Sequence, residues 1–277
     1  MSAPCWRIDL MATIDSLARV ESGAVLGADV TIGPFCVVGP HAVIGAGTTL
    51  VSHVNIAGAT TIGEACTIYP FASLGTAPQS TGYRGELTKL VIGNNCTIRE
   101  GVTMNAGTVS GGGVTTVGDR GYFMNNAHVG HDSHVGNDVI FATSATLGGH
   151  CVVGDFVFMG GLAAVHQFAR IGSQTMIGGM SGITHDIIPY VIANGQRARL
   201  EGLNLVGMKR RGFTAERLRV VRTFYDKLFF GPGVFAERLP ALQKEHESDP
   251  AISEILDFIT ADRRRPLCIP SFHSDHS

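Results

Sequence analysis

The residues with the clearest chemical potential are five histidines in the middle of the chain, His128, His131, His150, His166 and His185. An imidazole titrates near neutral pH and takes a proton from a hydroxyl or an amine when a carboxylate fixes its tautomer. Asp132, adjacent to His131, suits that orienting role by the logic of a catalytic triad. Steps of 18 from His131 reach Gly149, Gln167 and His185, and one such step from Asp132 reaches His150. If 18 residues make one coil, these residues share an edge, with the Gly149 backbone N–H free to meet an oxyanion. A base, its orienting acid and an oxyanion donor are the parts of acyl transfer: His131, Asp132 and Gly149 in that order.

A repeat must hold these parts in register. Stepping by six from Ile14 gives Val20, Leu26, Ile32, Val38, Ile44, Leu50, Ile56, Ile62, Ile68 and Leu74, then Ile92, Ile98 and Met104, and again Val117 through Ile183. Neither a heptad nor a two-residue alternation produces this period. Two residues earlier stands a small or β-branched partner (Ala18, Val30, Cys36, Ala42, later Ala127 and Cys151) which shares the inward face of a strand. Glycine often follows the large apolar residue, as in Ile32-Gly33 and Val153-Gly154, and is expected to supply corner conformations. Three six-residue sides per coil give a triangular prism of parallel β-helix, stacked at roughly 4.8 Å per coil and about 40 Å long. Two segments interrupt it, near 76–90 and 107–114. Loops ejected from a solenoid tend to gather on a working surface.

The domain reading is a segment 1–13 without pattern, a prism over 14–189, and a helical domain over 190–277. Met1 and Met11 both stand open as the start. Pro189 closes the repeat, and Thr214 caps a helix marked by Leu218, Val221, Phe224, Tyr225 and Leu228 that Gly231-Pro232-Gly233 stops. Further helices are expected over Val234–His246 and from Asp249-Pro250, followed by a loosely ordered tail from Arg263.

Composition narrows the class. Among 277 residues, 36 glycines and a single Trp fit tight corners around a core of small and β-branched side chains. A net charge of -2 gives no field for nucleic acid, so an anionic partner must be met locally, for example by Lys209-Arg210-Arg211. No segment is apolar enough to span a membrane, and Cys36, Cys66, Cys96 and Cys151 fall in the repeat as buried thiols; the expectation is a cytoplasmic protein.

Several motifs resemble one family. Asn126-Ala127-His128-Val129-Gly130-His131-Asp132, Gly148-Gly149-His150, Ala164-Val165-His166-Gln167-Phe168 and Gly207-Met208-Lys209-Arg210-Arg211-Gly212-Phe213 are similar to motifs of the UDP-N-acetylglucosamine acyltransferases. The wider hexapeptide-repeat acyltransferases, which the chain also resembles, imply the left hand of the helix. The resemblance implies a homotrimer with sites between neighbouring prisms. It also implies transfer of a 3-hydroxyacyl chain from acyl carrier protein to the 3-position of UDP-N-acetylglucosamine, the first step of lipid A biosynthesis. No resident cofactor is implied, since the acyl group rides on the carrier's phosphopantetheine. Carried over position by position, His131 is the base, Asp132 its orienting acid and Gly149 the oxyanion donor. Gln79, His128, His150, His166, Gln167, Asn204, Arg210 and Arg211 contact the sugar nucleotide, and arginine forks suit its phosphates. Lys209, Arg217 and Arg219 are candidates to steer the acidic carrier.

The departures bear on substrate. Where the family commonly has Asp-Leu-Lys, this chain has Ser80-Thr81-Gly82, which leaves Arg84 as the nearest cation. Where the family often has His-Arg, it has Asn105-Ala106, and Val206 replaces an expected glutamate. These losses keep open a 3-amino analogue of the sugar nucleotide, with an amide product. Gly179 and Met180 match the position that limits the acyl groove, and a medium-to-long chain is expected. Two readings from other classes also stand. His128-Val129-Gly130-His131-Asp132-Ser133-His134 is similar to a ligand run, as in a zinc-dependent β-helix carbonic anhydrase, although no metal site is assigned here; a non-catalytic solenoid scaffold is the other.

Overall fold

The computed structural model describes residues 12–245, 249–261 and 265–271; the candidate start Met11, the end of the second expected helix at His246, and Arg263 and Arg264 lie outside them. Among the described residues, short strands build three sheets of 11, 9 and 8 strands. Every pairing along the prism is parallel, and where no loop intervenes residues 18 apart are in register, as in Thr13↔Thr31, Arg19↔Val37 and Val25↔Val43. The offset widens to 30 at Thr67↔Thr97 and to 25 at Thr103↔His128, so each loop is looped out without breaking the stack beneath it.

The six-residue register is the core. From Ile32 onward its members are almost wholly buried, whereas Ile14 is 46% exposed because no coil precedes it among the described residues. Phe123 and Phe141 fill the middle of the prism edge to face, with ring centroids 5.0 Å apart. Removing either ring would leave a cavity costing about 3–5 kcal/mol.

The glycines after the large apolar residues serve a different purpose from the one expected. Gly33 has no left-handed φ; a Cβ there would stand 1.9 Å from the Val51 carbonyl oxygen of the next coil, so glycine is required by close approach. The left-handed corners fall three residues after the apolar position and are mostly not glycine: Asp132, Asp138 and Ser144 have φ of 58°, 55° and 57°. Those three mark the prism's three edges, and His150, Phe156 and Leu162 repeat them one coil on.

The prism does not stop at Pro189. The strand Val191–Asn194 joins the largest sheet through Met176↔Ile192 and turns back antiparallel onto Arg199–Leu203. Helices follow: α1 Leu205–Arg210, α2 Ala215–Phe230, α3 Phe235–Glu245 and α4 Pro250–Ala261. Thr214 caps α2 by accepting from the Arg217 N–H, and Leu218, Val221, Phe224, Tyr225 and Leu228 form its buried face. The expectation of a loosely ordered tail fails over residues 265–270. Leu267 bridges to Asp186, Pro270 bridges to Leu200, and Cys268 is buried. Backbone pairing that no sequence period announces holds this strap in place.

Candidate active site

The edge marked by Asp132 and His150 gathers the chemistry. Asp132 turns the corner between the strands His128–Val129 and His134–Val135, its own N–H donating to Thr115 Oγ1 at 2.8 Å. Its carboxylate is fully buried and lies 2.7 Å from His131 Nδ1. An ionised carboxylate only accepts, so the proton sits on Nδ1 and the Nε2 lone pair is left for use as a base. The second Gly-rich loop holds the carboxylate from the other side. Thr108 donates its N–H to Oδ1 and its hydroxyl to Oδ2, each at 2.7 Å. Burial pushes the Asp132 carboxyl up, but the Thr108 hydroxyl, His131, the Thr108 N–H and the charge of His150 together outweigh it and hold it below the ordinary aspartate value.

His150 stands edge-on to His131 with ring centroids 5.0 Å apart, and its other face stacks on Phe168 at 4.4 Å. Its Nε2 is 3.8 Å from Asp132 Oδ2. Burial holds His150 below the usual histidine value, against the pull of Asp132 and with the help of His131. His128 faces Thr103, Oγ1 to Nδ1 at 2.7 Å, and burial, then the charge of His131, lowers its pKa. Gly149 lies directly against the imidazole. A Cβ there would be 2.8 Å from both Cε1 and Nε2 of His131, and no hydrogen bond among the described residues takes the Gly149 N–H.

His131, Asp132 and His150 also offer three ligand atoms within 4.8 Å of one another. The hydrogen bonds favour the base arrangement over a metal centre. Both Asp132 oxygens already accept from Thr108, and His131 turns its Nδ1 to the carboxylate.

The remaining expected residues divide. His166 and Gln167 lie on the same edge one coil beyond His150, both exposed. Asn204, Arg210 and Arg211 line a different cavity of about 510 Å3 with Asp138, Phe156 and Phe158, on the edge that Asp138 and Phe156 mark. There Asn204 caps α1 and donates to the Gln174 carbonyl at 2.9 Å, while Arg211 Nε donates to Gln174 Oε1 at 2.8 Å and its guanidinium lies over the Phe156 ring. Gln79 is exposed in the first loop, and no hydrogen bond joins it to these histidines among the described residues. Met180 turns outward, 69% exposed, at a left-handed corner next to Gly179. One chain therefore carries two separate clusters of expected site residues on two edges.

Sequence reading missed Thr108, Gly111 and Gln174. The glycine run 111–113 was the available signal: a Cβ on Gly111 would collide with the Asp132 carboxyl at 2.2 Å. Two departures find a physical role. Asn105 clamps the first loop by donating to Thr76 Oγ1 and the Ala77 carbonyl, at 3.1 and 3.2 Å. Arg84 spends its guanidinium on the Thr81 and Tyr83 carbonyls of its own loop, at 2.8 and 3.0 Å.

Comparison with known proteins identifies the family. A family profile described as Udp N-acetylglucosamine O-acyltransferase, Domain 2, matches residues 186–268, and one of bacterial transferase hexapeptides (six repeats) matches residues 23–58. A Caulobacter vibrioides acyl-(acyl-carrier-protein)–UDP-N-acetylglucosamine O-acyltransferase is 50% identical over 225 residues, 81% of this chain and 86% of that protein. The chain belongs to the UDP-N-acetylglucosamine O-acyltransferase family. Solved structures of the family overlay more than nine-tenths of the chain. LpxA of Acinetobacter baumannii has 38% identity and a TM-score of 0.88 over 92% of this chain and 99% of the other. The Francisella novicida UDP-N-acetylglucosamine acyltransferase has 32% identity and a TM-score of 0.91 over 94% and 95%. The family's left-handed parallel β-helix is thus the prism described above, with the hand that its period alone leaves open.

Proposed function

We propose that the protein transfers a 3-hydroxyacyl group from acyl carrier protein to the 3-position of UDP-N-acetylglucosamine, the step that the family resemblance places at the start of lipid A biosynthesis. The observation that carries this reading is the His131 imidazole held between a buried carboxylate and the bare backbone of Gly149. His131 Nε2 removes the proton of the acceptor hydroxyl as its oxygen attacks the thioester carbonyl. The Gly149 N–H meets the tetrahedral oxyanion, worth about 2.7–4 kcal/mol for one such donor. Collapse breaks the C–S bond, and His131 returns its proton to the departing thiolate. No resident cofactor takes part; the donor arrives on the carrier's phosphopantetheine.

The working form in this reading is a homotrimer. A cyclic assembly sets the histidine edge of one prism against the Asn204, Arg210 and Arg211 edge of the next, completing a site that neither edge makes alone. The acidic carrier finds Lys209, Arg219 and Arg222 around a cavity of about 260 Å3, whereas Arg217 is engaged with Asp249 and the Phe213 ring. Outward Met180 leaves the groove beside Gly179 open to a medium-to-long chain. Buried free thiols at Cys36, Cys66, Cys96, Cys151 and Cys268 suit the reducing cytoplasm. No helix among the described residues is long and apolar enough to cross a membrane.

Purified protein incubated with 3-hydroxyacyl carrier proteins and, side by side, UDP-N-acetylglucosamine and its 3-amino analogue tests the reading by mass spectrometry. An ester on the first acceptor is expected. An amide on the second alone would reassign the acceptor, which the changes at Gly82, Asn105 and Val206 keep in play. Product with neither, or stoichiometric zinc needed for turnover, would overturn acyl transfer in favour of a metal hydratase or a scaffold.

A further inference from the structure

Residues 265–270 run back along the end of the prism as a strap. The Pro266 carbonyl accepts from Asp186 N–H at 3.0 Å, Cys268 N–H donates to the Asp186 carbonyl at 2.8 Å, and Leu200 N–H donates to the Ile269 carbonyl at 3.2 Å. Arg265, the first residue of the strap, is thereby brought to the histidine edge. Its Nη1 donates to the Thr184 carbonyl at 2.9 Å, and its Nη2 lies 2.9 Å from His166 Nδ1.

The same Nδ1 lies 3.0 Å from the backbone oxygen of Gln167. These two neighbours make opposite demands. A guanidinium has only donors, so Nδ1 must offer it a lone pair; a carbonyl only accepts, so it asks Nδ1 for a proton. The guanidinium has no acceptor to offer and is anchored on the Thr184 carbonyl through its other nitrogen, so its demand prevails. We propose that Arg265 is a positioning residue, which holds His166 as the Nε2–H tautomer so that the ring offers a donor to the acyl acceptor. Without Arg265 the Gln167 carbonyl draws the proton to Nδ1, and Nε2 then presents a lone pair to the oxygens of a sugar or phosphate. A residue 99 positions away in the chain thus sets the polarity of one contact in the site. The functional half of this inference rests on the acyl-transfer reading; the tautomer itself does not.

Nitrogen-15 NMR of histidine-labelled protein reads the tautomer directly, with His166 assigned by its loss in His166→Gln. The wild-type ring is expected to carry its proton on Nε2, Arg265→Lys to keep it there, and Arg265→Met to move it to Nδ1. Wild-type protein protonated on Nδ1, or a Met variant with an unmoved proton, would overturn the proposal. Thiol labelling of Cys268, the buried thiol of the strap itself, reports whether the strap stays seated. If it lifts in the Met variant, the wild-type tautomer alone decides. In turnover, Arg265→Met is expected to raise KM for the sugar nucleotide roughly tenfold with little change in kcat, the effect of one lost hydrogen bond to a bound ligand, and Lys to restore it. Wild-type protein inactive on both acceptors would defeat the acyl-transfer reading while the tautomer measurement stood by itself.

Discussion

Thr108 meets the Asp132 carboxylate twice, N–H to Oδ1 and hydroxyl to Oδ2, both at 2.7 Å. The loop that carries Thr108 therefore supports the proposed base, one contact removed from His131. Thr108→Val keeps the backbone donor and deletes the hydroxyl. It should cost about tenfold in kcat, the value of one hydrogen bond to a charged group, with KM little changed. Unchanged kcat would show that the His131–Asp132 pair holds its geometry without the loop.

His131→Ala should remove at least about a hundredfold of the rate, as loss of a general base does, while the melting temperature stays near wild type. The side chain sits at the surface of the prism, 15% exposed, so its loss opens no core cavity. Retention of most activity would mean that another group takes the proton.

Gly149 offers a sharper test. A Cβ there would stand 2.8 Å from His131 Nε2, inside contact distance, yet alanine leaves the backbone N–H in place. Gly149→Ala should therefore lower kcat by about tenfold or more through displacement of the imidazole. An active Ala variant would show that the ring and backbone can part without harm.

The pH dependence of stability follows from lowered pKa values. For His128 and His150 the unfolded chain, near 6.5, binds a proton more readily than the folded one. Their contribution is complete above that value and is lost as pH falls through the lower folded values. Asp132 adds a second loss below its unfolded value of 3.8, as its carboxylate takes a proton. Urea midpoints should decline from pH 7 towards pH 5, and His128→Asn should flatten that decline. A midpoint that rises on acidification would contradict the sign.

Much of this was legible because a solenoid converts spacing into contact. His131 and Gly149 are 18 apart, and stacking alone makes them touch. Thr108 and Asp132 are 24 apart across a loop whose length the period does not govern, so their bond was invisible. The same limit hid Arg265: its approach to His166 depends on backbone bridges at Leu267 and Pro270 that no hydrophobic pattern encodes. Gly33 shows a subtler failure, in which the right residue was noted for the wrong reason, since close approach and a left-handed φ both select glycine.

The two half-sites give the proposed trimer a quantitative test. His131→Ala destroys the histidine edge, and Arg210→Ala with Arg211→Ala destroys the arginine edge, which lies on a different corner of the same chain. Each variant alone should be nearly inactive at low nucleotide concentration. In a cyclic trimer that mixes the two kinds, one of its three interfaces pairs an intact histidine edge with an intact arginine edge. Random reassembly of equal amounts makes about three quarters of the trimers mixed, so about a quarter of wild-type activity should return. If one chain held the whole site, mixing would restore nothing, and the assignment of Arg210 and Arg211 to a neighbour's histidines would fall.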